Sequence, residues 1–220
     1  MERVTKKQSS EARKFAKDLL NILRRRLREK YVFAERLVGS AKWNTILKDE
    51  ISGSFDIDYQ ILLTKNSKEY LNNKLNHPTA IKNDFFNCLN MEFKDNRKFK
   101  VENSTTAITL INLFDNWSYD FVIIKLFPDN QEIIRRNNKK ESSINEYTWN
   151  MLPKCNDAYK KFNKLSANNK KDLIENYILP RKIKEKQKNE NDKTKRSSCE
   201  AFIEEVNNYG KKWNYWLWTK

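Results

Sequence analysis

Along the first thirty positions Phe15, Leu19, Leu20, Ile22, Leu23 and Leu27 recur three and four residues apart. That spacing predicts a long amphipathic helix over residues 9–30. Ser9 or Ser10 is placed to cap it, with Glu11 in a first turn that favours an acid. Arg24, Arg25, Arg26, Arg28 and Lys30 crowd the far end, where the helix dipole and solvation account for them. The period then changes. Over Phe55–Leu63, Phe55, Ile57, Tyr59, Ile61 and Leu63 share one face, while Asp56 and Asp58 share the other. Alternation of period two predicts a strand with one buried side.

Residues 67–93 read as helical and irregular, interrupted at His77-Pro78. Thr105–Phe114 and Ser118–Phe127 read as a hairpin turning at Asp115-Asn116, with Asp120, Val122 and Ile124 on one face of its return strand. Pro128-Asp129-Asn130 ends that strand. From about residue 141 the spacing is helical, over 142–166, 168–188 and 198–209. The run Arg181–Arg196, with eight basic and three acidic residues and no aromatic, reads as a mobile solvated loop. The tail from Lys211 to Trp218 holds half of the six tryptophans. Core packing, base stacking and an interface all remain open for it. The expected fold class is α+β in two lobes. Residues 1–140 form a mixed sheet with the long helix, residues 141–220 form a helical lobe, and the seam lies near 130–145.

Composition narrows the partners. The 220 residues include 44 basic and 29 acidic side chains, a formal net charge of +15. Such charge suits a nucleic-acid, nucleotide or anionic-surface binder, although Lys- and Asn-rich drift in an AT-rich genome produces the same excess. Twelve Phe, nine Tyr and six Trp argue against disorder. No apolar run is long enough to span a membrane, and charged residues after Met1 leave no room for a secretory leader. Three scattered cysteines (Cys88, Cys155, Cys199) and a single histidine, His77, argue against a conventional zinc site. A reducing cytoplasm is the expected compartment.

The chemistry concentrates around two of only three glycines, Gly39 and Gly53, which flank the Asp56/Asp58 strand. Gly39 allows close approach of an anion, and Ser40 adds a hydroxyl and an amide. Two carboxylates at i and i+2 on a strand point the same way and repel unless a cation lies between them. Mg²⁺ is the natural occupant, its octahedron completed by substrate phosphates. A third carboxylate on a neighbouring strand, Asp120, would complete a two-metal site. The reaction class is nucleotidyl transfer.

Gly39-Ser40, Asp56-x-Asp58 and Asp120 together resemble the signature of the polymerase-beta-like nucleotidyltransferase superfamily. The segment Gly39–Thr45 resembles the Gly-Ser…Thr start of cyclic-oligonucleotide synthases, and the helix over 9–30 matches their spine helix. Glu146–Leu152 is similar to a Glu-x-Thr-Trp-Arg-Leu-Ser stretch of animal cyclic GMP-AMP synthase-like proteins. Ser197–Phe202 resembles the Ser-Ser-Tyr start of a later helix in them. The resemblance implies that Asp56, Asp58 and Asp120 hold two Mg²⁺ ions, with Mn²⁺ able to substitute. It implies phosphate contacts from Gly39, Ser40 and Thr45, and donor-triphosphate contacts from Ser198 and a lysine matched to Lys184. ATP or GTP would bind between the lobes, and Asp120 would help deprotonate the acceptor ribose hydroxyl. The chain departs from the family in a longer Ser40–Asp56 spacing, in Cys199 where tyrosine is usual, and in lacking the zinc-binding cluster of the vertebrate DNA sensor.

The leading expectation is an enzyme that makes cyclic-dinucleotide-type second messengers in innate immunity, with double-stranded RNA or another nucleic acid as activator. Two alternatives stay open. The same site would serve nucleotide addition to RNA or protein, or the chain would be a non-catalytic basic RNA-binding module on this fold. Base preference, product linkage and oligomeric state are not encoded in these motifs.

Overall fold

The computed structural model describes residues 1–64, 77–126, 131–137, 147–152, 156–189 and 191–213. Expectations for residues 67–76, 128–130 and 142–146 and for Trp216 and Trp218 lie outside the described residues. The chain is α+β, as expected, and divides into two compact units, Glu2–Leu152 and Pro153–Lys220 together with Met1.

The first unit is built on a seven-stranded mixed sheet. Its strands are β1 (Phe33–Leu37), β2 (Phe55–Leu63), β3 (Phe99–Asn103), β4 (Ala107–Asn112), β5 (Trp117–Leu126), β6 (Gln131–Arg136) and β7 (Tyr147–Met151). The order is β1-β2-β5-β4-β3, with β6 paired to β5 and β7 to β6. Only β2 and β5 run parallel among these pairs. The strand expected at Phe55–Leu63 forms over those residues, and Phe55, Ile57, Tyr59, Ile61 and Leu63 on its apolar face are all buried. They face α1 (Lys6–Leu27) and α3 (Pro78–Phe93); α2 is the short helix Gly39–Lys42. Phe15 of α1 stacks on Phe99 at 5.1 Å and on Tyr119 at 6.0 Å. The Tyr119 hydroxyl donates to the Ala12 carbonyl.

The long helix begins earlier than its apolar spacing suggests. Thr5, not Ser9 or Ser10, is the N-cap and forms a capping box with Gln8. Ser9 is buried, heading a stripe through Ala12, Ala16, Leu19, Leu20, Leu23 and Leu27, and no acid stands in the first turn. At the other end Arg24 pairs with Glu35 and Arg26 with Glu92, so the cluster also ties the helix to β1 and α3.

Residues 147–151 form a strand rather than part of a helix. Tyr147 is buried on one face, and the whole strand pairs with β6 from Glu132↔Met151 to Arg136↔Tyr147. The compact units therefore divide after Leu152, beyond the expected 140/141 boundary, because this hairpin carries the chain back into the sheet.

The second unit holds α4 (Asn156–Lys164), α5 (Ala167–Leu173), a π-helical turn (Ile174–Ile178), α6 (Leu179–Gln187) and α7 (Ser198–Lys212). Leu173, Ile178, Ala201, Phe202, Val206 and Tyr209 are buried in it. The run Arg181–Arg196 is not a solvated loop. Its first half lies in α6, and Glu185 is only 2% exposed. That carboxylate accepts from the Arg196 amide at 2.8 Å and pairs with Lys188 at 2.9 Å and Arg181 at 3.2 Å. Buried charge persists when paired and hydrogen-bonded, and three cationic or N–H donors meet that need here. Among the described residues no helix is long and apolar enough to cross a membrane.

Candidate active site

The site face of the sheet is the one turned away from α1 and α3. On β2 it presents Asp56, exposed, and Asp58, half-buried, between core residues Phe55, Ile57 and Tyr59. Parallel pairing sets Asp58 directly beside Asp120 of β5 and Asp56 beside Ser118. In-register neighbours on paired strands project to one side, so the three carboxylates share one face. On the far side of β5, Thr109 of β4 stands opposite Asp120.

Hydroxyls orient two of the acids. Thr109 Oγ1 donates to Asp120 Oδ1 at 2.6 Å, and Ser118 Oγ donates to Asp56 Oδ1. Neither Thr109 nor Ser118 is signalled by the motifs. Their roles depend on which strands pair, and only a cross-strand reading would have found them. Burial raises the Asp120 carboxyl above the ordinary range, with the Asp56 charge adding to the rise and the Thr109 hydroxyl opposing it.

Gly39 stands against this face. The Val38 amide donates to the Asp58 carbonyl at 3.0 Å, continuing the β1–β2 ladder into the turn. Gly39 then takes φ +61° and opens α2. A Cβ on Gly39 would collide with Asp58 Oδ2 and lie 3.1 Å from its Cγ. The expected glycine is thus required, and what approaches its backbone is the Asp58 carboxylate. Ser40 follows on α2. Thr45 is buried and donates its amide to the Ser40 carbonyl at 2.9 Å, closing the turn. It braces the segment that carries Ser40.

Lys184 and Ser198 belong to the helical unit, and both are exposed. Ser197 is the N-cap of α7, in a capping box with Glu200, which leaves Ser198 as the first helical residue.

As the side chains stand, no group of three or more Asp, Glu, His or Cys among the described residues is poised to hold a metal ion. Two of the three acids are turned onto Ser118 and Thr109. The donor set itself fits a hard divalent cation. It is all carboxylate oxygen, and no described lysine or arginine pairs with Asp56 or Asp120. Burial beside a like charge leaves Asp120 short of positive potential.

No protein-family model matches the chain, and no curated protein does. Solved structures do. The STING-associated CdnE c-di-GMP synthase from Capnocytophaga granulosa superposes with TM-score 0.62 at 17% identity, covering 96% of this chain and 63% of that one. Vibrio cholerae DncV in its 3′-deoxy ATP bound form gives 0.58 at 12% identity, over 81% of this chain and 45% of that one. The Bradyrhizobium diazoefficiens CD-NTase CdnG in complex with GTP gives 0.52 at 13%, over 73% and 43%. The chain spans under two thirds of each of these proteins. At these identities the likeness establishes architecture: the chain has the nucleotidyltransferase fold of the cyclic-dinucleotide synthases.

Proposed function

We propose that the chain is a metal-dependent nucleotidyltransferase that joins ATP or GTP units into oligonucleotide second messengers of the cyclic-dinucleotide type. The observation that carries this reading is the parallel register of Asp58 with Asp120, with Gly39 folded against the Asp58 carboxylate. Asp56, Asp58 and Asp120 would hold two Mg²⁺ ions, or Mn²⁺ in their place, once their side chains rotate on the fixed strands. Metal bound there would polarise the α-phosphate and acidify the attacking hydroxyl.

The chain's own groups do the rest. Gly39 and Ser40 bring backbone amides and a hydroxyl to the phosphates. Asp120, its proton affinity raised by burial, accepts the proton of the acceptor ribose hydroxyl. Thr109 and Ser118 hold Asp120 and Asp56 by hydroxyl hydrogen bonds that side-chain rotation onto a cation would replace. The acceptor oxygen forms its bond to the α-phosphorus as the bond to pyrophosphate breaks in line. In the helical unit, Lys184 and Ser198 are the candidates for triphosphate contacts. The +15 charge suits a nucleic-acid activator such as double-stranded RNA. The cytoplasm, where nucleotides and such RNA occur, is the compartment this reading implies.

The test is mass analysis of products from all four NTPs with Mg²⁺ or Mn²⁺, with and without double-stranded RNA. A phosphatase-resistant small product is expected. Asp58→Asn and Asp120→Asn should lower pyrophosphate release by on the order of 10²–10³ or more while thermal unfolding is retained. Full activity in either variant refutes the assigned roles. Lengthened RNA, or label retained on denatured protein, would instead change the acceptor.

A further inference from the structure

One cation on the site face has no part in the scheme above. Arg36 of β1 is half-buried and pairs in register with Gln60, two residues beyond Asp58 on the same face of β2. Its guanidinium is held firmly. Nε and Nη2 donate to Gln60 Oε1 at 2.8 and 2.5 Å, and Nη2 also donates to Gln131 Oε1 at 3.1 Å. Gln131 opens β6, so three strands converge on this one side chain.

The choice of partners is informative. Every described partner of Arg36 is a neutral amide oxygen, and no described carboxylate pairs with it. Hydrogen bonding has fixed the orientation of the guanidinium without neutralising it. Its Nη1 amino group donates to no described residue, yet it is not among the buried polar atoms lacking a partner. It therefore remains open to a ligand. A planar, preorganised guanidinium with unused donors is suited to a phosphate, whose geometry it matches and whose charge it balances. The edge of a base would satisfy the donors but leave the charge.

Position selects which phosphate. Along β2 the Gly39–Ser40 turn lies at the Asp58 end of the β1–β2 ladder. Arg36 lies on the opposite side of Asp58, about 7–8 Å away by the diagonal spacing of paired strands. Along β2, Asp58 thus stands between Arg36 and the turn assigned to the donor phosphates, with Asp56 level with that turn and Asp120 beside Asp58 on β5. We propose that Arg36 binds a 5′-phosphate group of the acceptor nucleotide, making the site selective for phosphorylated acceptors over nucleosides. This rests on the function proposed above.

The experiment compares the unaltered chain with Arg36→Gln and Arg36→Lys. Acceptors are the nucleoside triphosphate that the protein consumes, the matching 5′-monophosphate and the nucleoside, at fixed donor. Arg36→Gln should raise KM for the triphosphate acceptor at least about tenfold. It should leave KM for the nucleoside acceptor and for the donor within about twofold, and Arg36→Lys should recover part of the loss. An equal fall for all three acceptors, or a loss that follows the base rather than the phosphate, overturns the assignment and marks Arg36 as a strand tie. A second readout does not need turnover: calorimetric binding of ATP, GTP, adenosine and guanosine in Ca²⁺. If the unaltered chain is inert but Arg36→Gln weakens triphosphate binding alone, the anion site stands and the proposed reaction falls. Unchanged triphosphate binding, or none by either protein, overturns the inference.

Discussion

Replacing Gly39 by alanine separates backbone strain from damage to the acid cluster, because the chain contains its own control. Gly39 and Gly53 both hold left-handed backbone, φ +61° and φ +67°. An alanine at either position costs about 1–2 kcal/mol for that conformation. Their surroundings differ. Nothing lies within 4 Å of a Cβ at Gly53, which sits in an exposed turn where its amide donates to the Asp49 carbonyl at 3.0 Å. A Cβ at Gly39 overlaps Asp58 Oδ2. Restoring ordinary van der Waals separation there requires that the carboxylate or the turn move by on the order of 1 Å. Metal–oxygen distances tolerate about 0.2 Å, and a 1 Å misplacement of a reacting group costs about 10² in rate.

Gly39→Ala and Gly53→Ala should therefore lose comparable stability in urea, about 1–2 kcal/mol each. Only Gly39→Ala should lose pyrophosphate release, by about 10². Mn²⁺ affinity, read from water-proton relaxation, should fall with it and stay level in Gly53→Ala. If Gly39→Ala matches Gly53→Ala in both turnover and Mn²⁺ affinity, the Asp58 carboxylate is not the ligand that this glycine makes room for.

Two further predictions concern charge buried away from the acid face. Lys82 of α3 is 1% exposed, donates to the Ser104 carbonyl at 2.7 Å and lies over the Tyr147 ring; burial, aided by the Arg136 charge, pushes its pKa down to about 7 from 10.5. The unfolded chain binds the extra proton between those values, so stability rises with pH there; relative to Lys82→Met, the unaltered chain should gain about 2 kcal/mol from pH 6 to 8.5 in urea titrations, and parallel curves would refute the shift. Glu185 behaves oppositely. The Arg196 amide, then Lys188 and Arg181, hold its carboxyl below the ordinary value, so its contribution is present above about pH 4.5 and lost as pH falls through its folded pKa. Glu185→Ala should speed hydrogen exchange at the Arg196 amide by about tenfold or more at neutral pH, and unchanged protection would show that another group holds the turn.

What was legible in the sequence followed from local, repeated signals. The bounds of β2 could be read because apolar and polar residues alternate from Phe55 to Ile61 and one face is wholly apolar through Leu63. Gly39 stood out because glycine is so rare here, but the reason for it, the carboxylate of a residue nineteen positions on, belongs to the β1–β2 pairing. The start of α1 is written in a polar segment ahead of the first apolar position, where Thr5-Lys6-Lys7-Gln8 is a capping box. β7 alternates Tyr147, Trp149 and Met151 against Thr148 and Asn150, a strand pattern obscured by the helical spacing on its C-terminal side. The register of Asp58 with Asp120 was not legible. Parallel pairing of strands some sixty residues apart is set by the core they share, not by either segment. The fold of the Arg181–Arg196 run was hidden for a similar reason. Besides Arg181 and Lys188 nearby in sequence, Glu185 is held by the Arg196 amide, which the chain must return to offer.

The same alternation explains why this sheet can carry acids without relaxing away from them. Each carboxylate on the site face is flanked in sequence by a side chain locked into the core. Asp58 lies between Ile57 and Tyr59, and Asp120 between Tyr119 and Phe121, all buried. Tyr59 packs against Tyr119 and Phe121 at 6.4 and 6.0 Å, and the Tyr119 hydroxyl ties β5 to the Ala12 carbonyl of α1. Like-charge repulsion between Asp56 and Asp120 can therefore rotate side chains but cannot separate the strands. The hydroxyls of Ser118 and Thr109 hold two of the acids, and burial, with a smaller contribution from the Asp56 charge, raises the Asp120 carboxyl above its ordinary range. On the function proposed above, Asp56 and Asp120, with which no described lysine or arginine pairs, would meet a cation by side-chain rotation on strands that stay in place. On that ground the long helix acts at a distance from the chemistry, by denying the carboxylates any other way to relieve their repulsion.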